Sequence, residues 1–320
     1  MTKRKDLVAD VTDGSDRQTK KKSCVLQPTH NDEIPATCHH LVAILSPAKT
    51  LNLDVLEKDK PISWTKPSCD ADKRRQVVQA MQKNAQTPAT FRKILNVSAA
   101  LAETAKQYWM DMDLNGRKNH RSKPCIYAFD GVAYKGLDIQ TLSKSSVTFL
   151  QDHLRIVDPL YGWLRPMDAI EPYRLEMASR GVFGDGKSKN ERGTGLAEFW
   201  EPAIRTSIER EQSEIEKRRG SNSQIVIVNL ASDEYSSAVE WPTSQVVKVV
   251  FRHAGRVVPV HAKRARGLMV RYMAEHNIQT LDDLTKFDLE GYIFQPGESS
   301  PVPFNTSIDI DSSPVLVFDR

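Results

Sequence analysis

The stretch IVIVNLASDEY, Ile225–Tyr235, contains the strongest strand signal in the chain. Its β-branched and apolar residues run to Leu230 and predict a buried strand. Directly after the strand, Ser232 stands where a helix N-cap is expected, and Asp233 and Glu234 favour a first helical turn. A buried strand that passes into a helix is typical of a domain that mixes both elements.

Shorter apolar runs on either side predict further strands. These are Leu41–Leu45, Ile126–Phe129, a hairpin of Val246–Phe251 and Arg256–Val260, and Val315–Phe318. Helical periodicity lies between them, at about Ala71–Ala85, Pro88–Val97 and Ala99–Trp109, and in a charged helix that starts at Pro202 and stops before Gly220. Strands interleaved with helices predict a mixed α/β (α+β) class, as one large domain with a mixed sheet flanked by helices.

The domain is expected to span residues 41–320. Residues 1–40 form a polar tail with two basic runs and are predicted to be disordered. A mobile loop is expected at 181–195, and a polar insertion at 295–313. The composition predicts a soluble cytoplasmic protein, and the basic tail would allow nuclear entry.

Composition and cysteine usage narrow the functional classes. The chain has 320 residues, 39% hydrophobic content and a formal charge of +4, and no run approaches the roughly 18 apolar residues that a membrane span needs. Cys24, Cys38, Cys69 and Cys125 form no CxxC pair, which indicates a reducing compartment. No metal-ligand cluster, Walker A loop or GxGxxG after a strand is found, so no metal and no cofactor are predicted.

The segment Lys263–Met273, KRARGLMVRYM, predicts an amphipathic helix. Its apolar residues recur at helical spacing: they are Ala265, Leu268, Met269, Tyr272 and Met273. Lys263, Arg264 and Arg266 would then crowd the first turn, where the helix dipole disfavours cations. Such crowding indicates an anion site for phosphate or carboxylate, unless these side chains pair with acids elsewhere in the fold.

Polar residues also follow two of the predicted strands. Lys49 lies just beyond Leu41–Leu45, and Asn229 and Glu234 lie at the end of Ile225–Leu230. In open α/β sheets, ligands bind outside the carboxyl ends of the strands. If these strands are parallel neighbours, the three side chains face one cleft.

The segment Leu160–Met177, LYGWLRPMDAIEPYRLEM, fits neither a helical stripe nor strand alternation. Its prolines, glycine and aromatic residues predict a loop that presents arginines. As a string it resembles the signature of the YaaA family, the peroxide-stress-resistance proteins of bacteria, which also have eukaryotic members. The chain is expected to be such a eukaryotic member.

Further blocks resemble motifs of the same family and come in the family's order. They are LSPAKTLN at Leu45–Asn52, YKGL at Tyr134–Leu137, Leu196–Trp200, NLASDEY at Asn229–Tyr235, KRARGLMVRYM at Lys263–Met273 and PVLVFDR at Pro314–Arg320. The resemblance covers roughly Leu41 to Arg320. It implies the family's fold and a role in the response to hydroperoxide.

The resemblance also implies a nucleic-acid contact. In the family, the stretch that matches Leu154–Arg165 resembles a helix-hairpin-helix, which grips the DNA backbone through main-chain amides. Three positions depart from the family pattern: Pro159 replaces a usual glycine and has no N–H to donate, Val132 replaces a usual aspartate, and His261 replaces a usual aromatic residue.

Three hypotheses follow. The first is a protein that binds DNA without sequence preference through a basic cleft and contributes to the response to oxidative stress. The second is an enzyme that acts on a small anionic or nucleotide-like substrate in the same cleft, and the third is a structural role with a protein partner. The predicted nucleic-acid or anion contacts are Lys49, Arg155, Tyr161, Arg165, Tyr173, Arg174, Asn229, Glu234, Lys263, Arg264 and Arg266.

Overall fold

The computed structural model of the chain describes residues 38–56, 63–112, 122–184, 195–242, 245–300 and 313–320. The predicted tail up to residue 37, most of the 181–195 loop and most of the 295–313 insertion lie outside these residues. Within the described residues, no helix is long and apolar enough to cross a membrane.

Most of the strands belong to one mixed sheet. The strands are β1 (Cys38–Leu45), β2 (Lys123–Pro124), β3 (Leu154–Asp158), β4 (Gly162–Leu164), β5 (Ala169–Ile170), β6 (Ser223–Asn229), β7 (Val246–Arg252), β8 (Ile293–Phe294) and β9 (Val315–Asp319). Seven of them form the sheet in the order β4-β3-β1-β6-β7-β9-β8, and β2 pairs with β5 separately. The predicted mixed α/β class is confirmed.

The middle of this sheet is parallel and buried. Strands β3, β1, β6, β7 and β9 run parallel, whereas β4 and β8 pair antiparallel at the two edges. The apolar residues of β1 and β6 are buried throughout Leu41–Leu45 and Ile225–Val228. Strands covered on both faces read as continuous apolar runs, which is why the sequence predicts these two so clearly.

Helices cover the sheet and connect its strands. They are α1 (Ala71–Asn84), α2 (Pro88–Leu95), α3 (Ala99–Asp111), α4 (Cys125–Ala128), α5 (Val132–Leu137), α6 (Lys144–His153), α7 (Leu196–Arg219), α8 (Asp233–Ser236), α9 (Pro259–Glu275) and α10 (Leu281–Leu284). The side chains of Asp70, Ser98 and Ser143 accept main-chain N–H groups at the starts of α1, α3 and α6. These caps satisfy donors that have no partner inside the helix.

Three local predictions were wrong. Ile126–Phe129 was predicted to be a strand but lies mainly in α4. Arg256–Val260 does not return as a hairpin strand, because Pro259 is the first residue of α9. The long helix α7 begins at Leu196, so Pro202 lies inside it, although its end before Gly220 is as predicted.

The stretch Leu154–Arg165 is a β-hairpin and not the helix-hairpin-helix that the family resemblance implied. Strand β3 pairs antiparallel with β4, with Val157 opposite Trp163. Gly162 has φ of +73°, and a Cβ there would lie 2.6 Å from the ring of Trp200. The carbonyl of Pro159 accepts the Trp200 indole N–H at 2.9 Å. The hairpin is therefore buried in the core, and it presents no helix-hairpin-helix.

A buried ion pair lies beneath this hairpin. Arg155 on β3 donates from Nε to both carboxylate oxygens of Glu211 on α7, at 2.9 and 3.1 Å. The Trp163 indole N–H also donates to Glu211, at 3.2 Å. Arg155 is 2% exposed and Glu211 is 6% exposed. Since both charges are removed from water, each depends on the other for its stability.

Two glycines allow α5 to lie directly against α9. A Cβ on Gly136 would be 2.4 Å from the carbonyl oxygen of Arg264, and a Cβ on Gly267 would be 1.7 Å from that of Ala133. Side chains larger than hydrogen are excluded at both positions. The glycines of the YKGL and KRARGLMVRYM motifs thus set the distance between two helices.

Two histidines with adjacent, tilted rings pack between β1 and α6. The rings of His40 and His153 are 4.4 Å apart, and the Nδ1 atom of His153 lies 2.7 Å from the carbonyl oxygen of Leu41. Burial, and then the charge of His153, lower the pKa of His40 to about 3. Burial also lowers the pKa of His153, so both rings are neutral in the folded protein at neutral pH.

This pair predicts a loss of stability in mild acid. Between pH 6.5 and 3, the unfolded chain binds a proton at residue 40 that the folded chain does not, so stability falls as pH falls through this range. The expected loss from His40 between pH 7 and pH 5 is about 2 kcal/mol. Urea unfolding at the two pH values measures it. His40→Leu is expected to reduce the loss, and His276→Gln, at an exposed histidine, to leave it unchanged. If His40→Leu and His276→Gln lose the same stability between pH 7 and pH 5, His40 is not the source of the loss.

Candidate functional site

A cleft of about 280 Å³ lies where β1 and β6 end. Ile44 pairs with Asn229 in the parallel register, so the segments that follow both strands leave the sheet at the same edge. This is the place where open α/β sheets bind ligands. The polar and charged residues that line the cleft are Ser46, Lys49, Thr50, Tyr134, Glu176, Ser232, Glu234, Tyr235, Lys263 and Arg266.

Two serines join the strand ends at the floor of the cleft. The main-chain N–H of Ser232 donates to Ser46 Oγ at 3.0 Å, and the two hydroxyl oxygens are 3.3 Å apart. Ser232 occupies the predicted N-cap position of α8, but its side chain makes no capping hydrogen bond. Tyr134 on α5 donates its hydroxyl to the carbonyl of Ser46 at 3.0 Å, and burial raises its pKa well above the usual value.

The segment Arg174–Ala178 forms one wall. Arg174 donates to the carbonyl of Lys49 at 3.2 Å, and Lys49 Nζ lies 2.6 Å from Glu176 Oε2. The N–H of Ala178 donates to Glu234 Oε1 at 2.9 Å. Lys49 and Glu234, both predicted from their positions after strands, therefore each contact this wall and hold it in place.

Helix α9 contributes two cations to the lining of the cleft. Lys263 and Arg266 line the cleft, and neither makes a hydrogen bond or ion pair with a residue that the structure describes. Arg266 is partly buried, which lowers the pKa of its guanidinium, and the carboxylate of Asp233 opposes this effect. A partly buried arginine and an exposed lysine, neither of them with a hydrogen-bonded acid, are suited to an anionic ligand.

The predicted position of these cations in the first turn of the helix is wrong. Helix α9 begins at Pro259, so Lys263, Arg264 and Arg266 lie in its second and third turns and not at its N-terminus. The helix dipole therefore does not act on them as predicted, because it falls off within the first turn. Arg264 points away and pairs with Glu290 at 2.7 Å. The predicted apolar stripe is confirmed, since its residues are buried.

Other predicted contact residues lie away from the cleft lining. Arg155 is held by Glu211, and Arg165 NH2 lies 3.9 Å from the same carboxylate. Asn229 uses its side-chain oxygen to accept the N–H of Ala231 at 3.0 Å. Tyr161 and Tyr173 are both buried, at 2% and 5% exposure. Of the predicted set, the structure places Lys49, Glu234, Lys263 and Arg266 together, with Arg174 in the adjoining wall.

Tyr161 and Tyr173 belong to a buried network around Asp158, which the sequence analysis did not single out. Asp158 accepts the N–H groups of Leu160 and Tyr161, both at 2.8 Å, and the hydroxyl of Tyr173. Burial raises the pKa of Asp158 to about 6, against the effect of these donors. The network closes the turn of the β3–β4 hairpin and so supports the wall that begins at Arg174.

Ser46, Tyr134 and Glu176 were also missed as members of the site. Ser46 directly follows β1, so the rule that identified Lys49 applies equally to it. Tyr134 and Glu176 were identified only as members of sequence motifs, without a role in the site. No periodicity could have shown that α5 and the Arg174–Ala178 segment reach the ends of β1 and β6.

A second hollow, of about 980 Å³, lies between the residues after β1 and helix α3. Apolar side chains such as Leu53, Val55 and Trp64 line much of it. Lys123 in its lining donates to the carbonyls of Asn52 and Asp54, at 3.1 and 3.0 Å, and so is occupied by the protein itself. The strand-end cleft, in contrast, keeps two cations without such partners.

A family model and several known proteins match most of the chain. The family model described as peroxide stress protein YaaA matches residues 41–298. A UPF0246 protein of a Polaromonas species is 36% identical over 265 residues, covering 81% of this chain and 95% of the relative. UPF0246 proteins of Shewanella sediminis and of a Psychrobacter species are 35% and 34% identical, and the alignments cover 96% and 92% of those relatives. The eukaryotic origin stays a prediction. The chain belongs to the YaaA family of peroxide stress proteins.

Proposed function

We propose that this protein acts in the response to hydroperoxide stress by binding a small anionic, nucleotide-like ligand in the strand-end cleft. One observation carries the ligand class: Lys263 and Arg266 face the cleft without hydrogen-bonded acids. The volume of about 280 Å³ favours a small ligand, because it lies just below the range of about 300–1,000 Å³ in which proteins hold small molecules.

Cys69 and Cys125, whose side chains the structure describes, are poorly suited to thiol chemistry. Burial raises the pKa of Cys69 and raises that of Cys125 well above the usual value. The thiolate is the form that reacts with peroxide, and a raised pKa makes it scarce.

The cleft also holds two acids, Glu176 and Glu234, beside its cations. Enzymes use such acids for proton transfer and such cations for charge neutralisation.

Duplex DNA is the second candidate ligand. The observation in its favour is that Lys49 and Lys263 are exposed at the cleft, with the Lys49 side chain 57% exposed. If phosphate contacts dominate, binding to labelled duplexes weakens steeply with salt and shows little sequence preference. A dissociation constant that does not change with salt, or an absence of binding at low salt, removes DNA as the ligand.

The expected result for the cleft cations is a loss of anion binding. The double variant Lys263→Ala, Arg266→Gln should bind inorganic phosphate at least about tenfold more weakly, since hydrogen bonds to charged groups contribute about 1.5–3 kcal/mol. Arg264→Gln is the matched control, because Arg264 lies on the same helix but pairs with Glu290 outside the cleft. Isothermal titration calorimetry at low salt measures both.

The same variants test the cellular role. In cells that lack the gene, the wild-type protein and Arg264→Gln should restore survival after hydrogen peroxide, and the double variant should not. Equal survival with all three proteins would show that the two cleft cations are not needed for the stress response. Unchanged phosphate binding in a folded double variant would remove the cations from the site.

A further inference from the structure

Two carboxylates stand in a cleft that is otherwise suited to anions. Glu176 and Glu234 line it together with Lys49, Lys263 and Arg266. A site that held only a phosphate would gain nothing from these acids, because like charges repel. Both acids contact the wall of the cleft, and they also offer acceptors to a second part of the ligand, with a different chemistry.

Each acid keeps one oxygen for that second part. Glu176 Oε2 contacts Lys49 Nζ at 2.6 Å, and Glu234 Oε1 accepts the N–H of Ala178 at 2.9 Å. Within the described residues, no hydrogen bond reaches Glu176 Oε1 or Glu234 Oε2. An ionised carboxylate only accepts hydrogen bonds, so these oxygens select a ligand that carries donors.

Hydroxyl groups fit these acceptors better than an ammonium group. Three basic and two acidic side chains line the cleft, so a second cation would meet no net negative charge there. Lys49 already neutralises Glu176. The floor adds the neutral hydroxyls of Ser46 and Ser232, 3.3 Å apart, which both donate and accept. A neutral polyol beside a phosphate matches every one of these groups.

We propose that the ligand is a phosphorylated sugar: Lys263 and Arg266 bind its phosphate, and Glu176 and Glu234 accept hydrogen bonds from its hydroxyls. This inference rests on the anion-binding function proposed above and specifies its ligand. The recognised unit occurs both in free sugar phosphates and in nucleotides. In this arrangement, Glu176 and Glu234 determine specificity, and the two cations supply affinity that all phosphate esters share.

The test compares four phosphate esters by calorimetry on the full chain. Ribose 5-phosphate is expected to bind at least tenfold more tightly than ethyl phosphate, which has no hydroxyl donors. Adenosine 5′-monophosphate distinguishes the two sources: tighter binding than ribose 5-phosphate identifies a nucleotide, and weaker binding a free sugar phosphate. Phosphoethanolamine presents an ammonium group instead, and its binding more tightly than ribose 5-phosphate would overturn the proposal.

Glu234→Gln gives the sharpest contrast. The glutamine oxygen still accepts the N–H of Ala178, so the wall stays in place while the charge is removed. Ribose 5-phosphate should bind at least fivefold more weakly to this variant, and ethyl phosphate equally well or more tightly. Equal affinity of the wild type for the two esters overturns the sugar inference and leaves the anion site intact. If neither ester binds, the anion site itself is refuted.

Discussion

Gly267→Ala is expected to destabilise the protein by at least about 3 kcal/mol, at the upper end of what overpacking costs. The added methyl group would lie 1.7 Å from the carbonyl oxygen of Ala133, which is main chain and cannot rotate away. Helices α5 and α9 must therefore separate. Urea unfolding of the variant, compared with the wild type, measures the loss.

Whether Gly267→Ala loses or gains stability shows whether α5 and α9 are in close contact. In the interior of an unobstructed helix, alanine is more favourable than glycine by about 1 kcal/mol, so a variant without the clash would gain stability. Gly297→Ala serves as the control, since nothing lies within 4 Å of a Cβ there, and it should change stability by no more than about 0.5 kcal/mol. A stabilised Gly267→Ala would contradict the close contact of α5 with α9.

Arg155→Met is the second large expected effect, with a loss of about 3–5 kcal/mol, because it leaves a buried charge without its partner. Glu211 would keep the Trp163 indole N–H, at 3.2 Å, and the more distant Arg165. Replacing both members, Arg155→Met with Glu211→Met, should recover much of the loss, since it removes the unpaired charge as well. Thermal and urea unfolding of both variants test this.

Helix α7 offers a matched control for that pair. Arg205, whose side chain is 43% exposed, forms ion pairs with Glu201, at 2.7 Å, and with the exposed Glu240. Exposed pairs contribute no more than about 1 kcal/mol, so Arg205→Met should change little. Equal losses for Arg155→Met and Arg205→Met would show that the Arg155–Glu211 pair is not desolvated as described.

Buried strands and long periodic helices were predictable because each carries its own pattern. The continuous apolar runs of β1 and β6 and the stripe of α9 are signals of that kind. Short apolar runs were ambiguous. Ile126–Phe129 was assigned the wrong element for this reason, whereas Leu154–Arg165 was assigned a helix-hairpin-helix because the family resemblance implied one. Contacts with neighbouring segments decide the element: the N–H of Cys125 donates to the carbonyl of Asp168, for example, at 2.8 Å.

The site was predictable only in part, and the reason is geometric. Lys49 and Glu234 follow parallel strands, so a general rule about sheet edges locates both. The directions in which Lys263, Arg264 and Arg266 point depend on where α9 begins and on what packs against it. The motif shows neither. Glu176 reaches the cleft because the buried hairpin directs the chain there, and Glu290 captures Arg264 from a segment that no local pattern links to it.

The central position of β1 has a consequence for synthesis of the chain. Strand β1 lies between β3 and β6, and its end is joined to the segment after β6 by the contact of Ser46 with Ser232, 186 residues later. At typical translation rates, that interval takes about 10–40 s. Throughout it, one edge of an apolar strand has no partner, and such edges pair readily with other chains. The nascent protein is therefore most prone to aggregate before β6 leaves the ribosome, and a chain truncated before Ser223 would retain that open edge permanently.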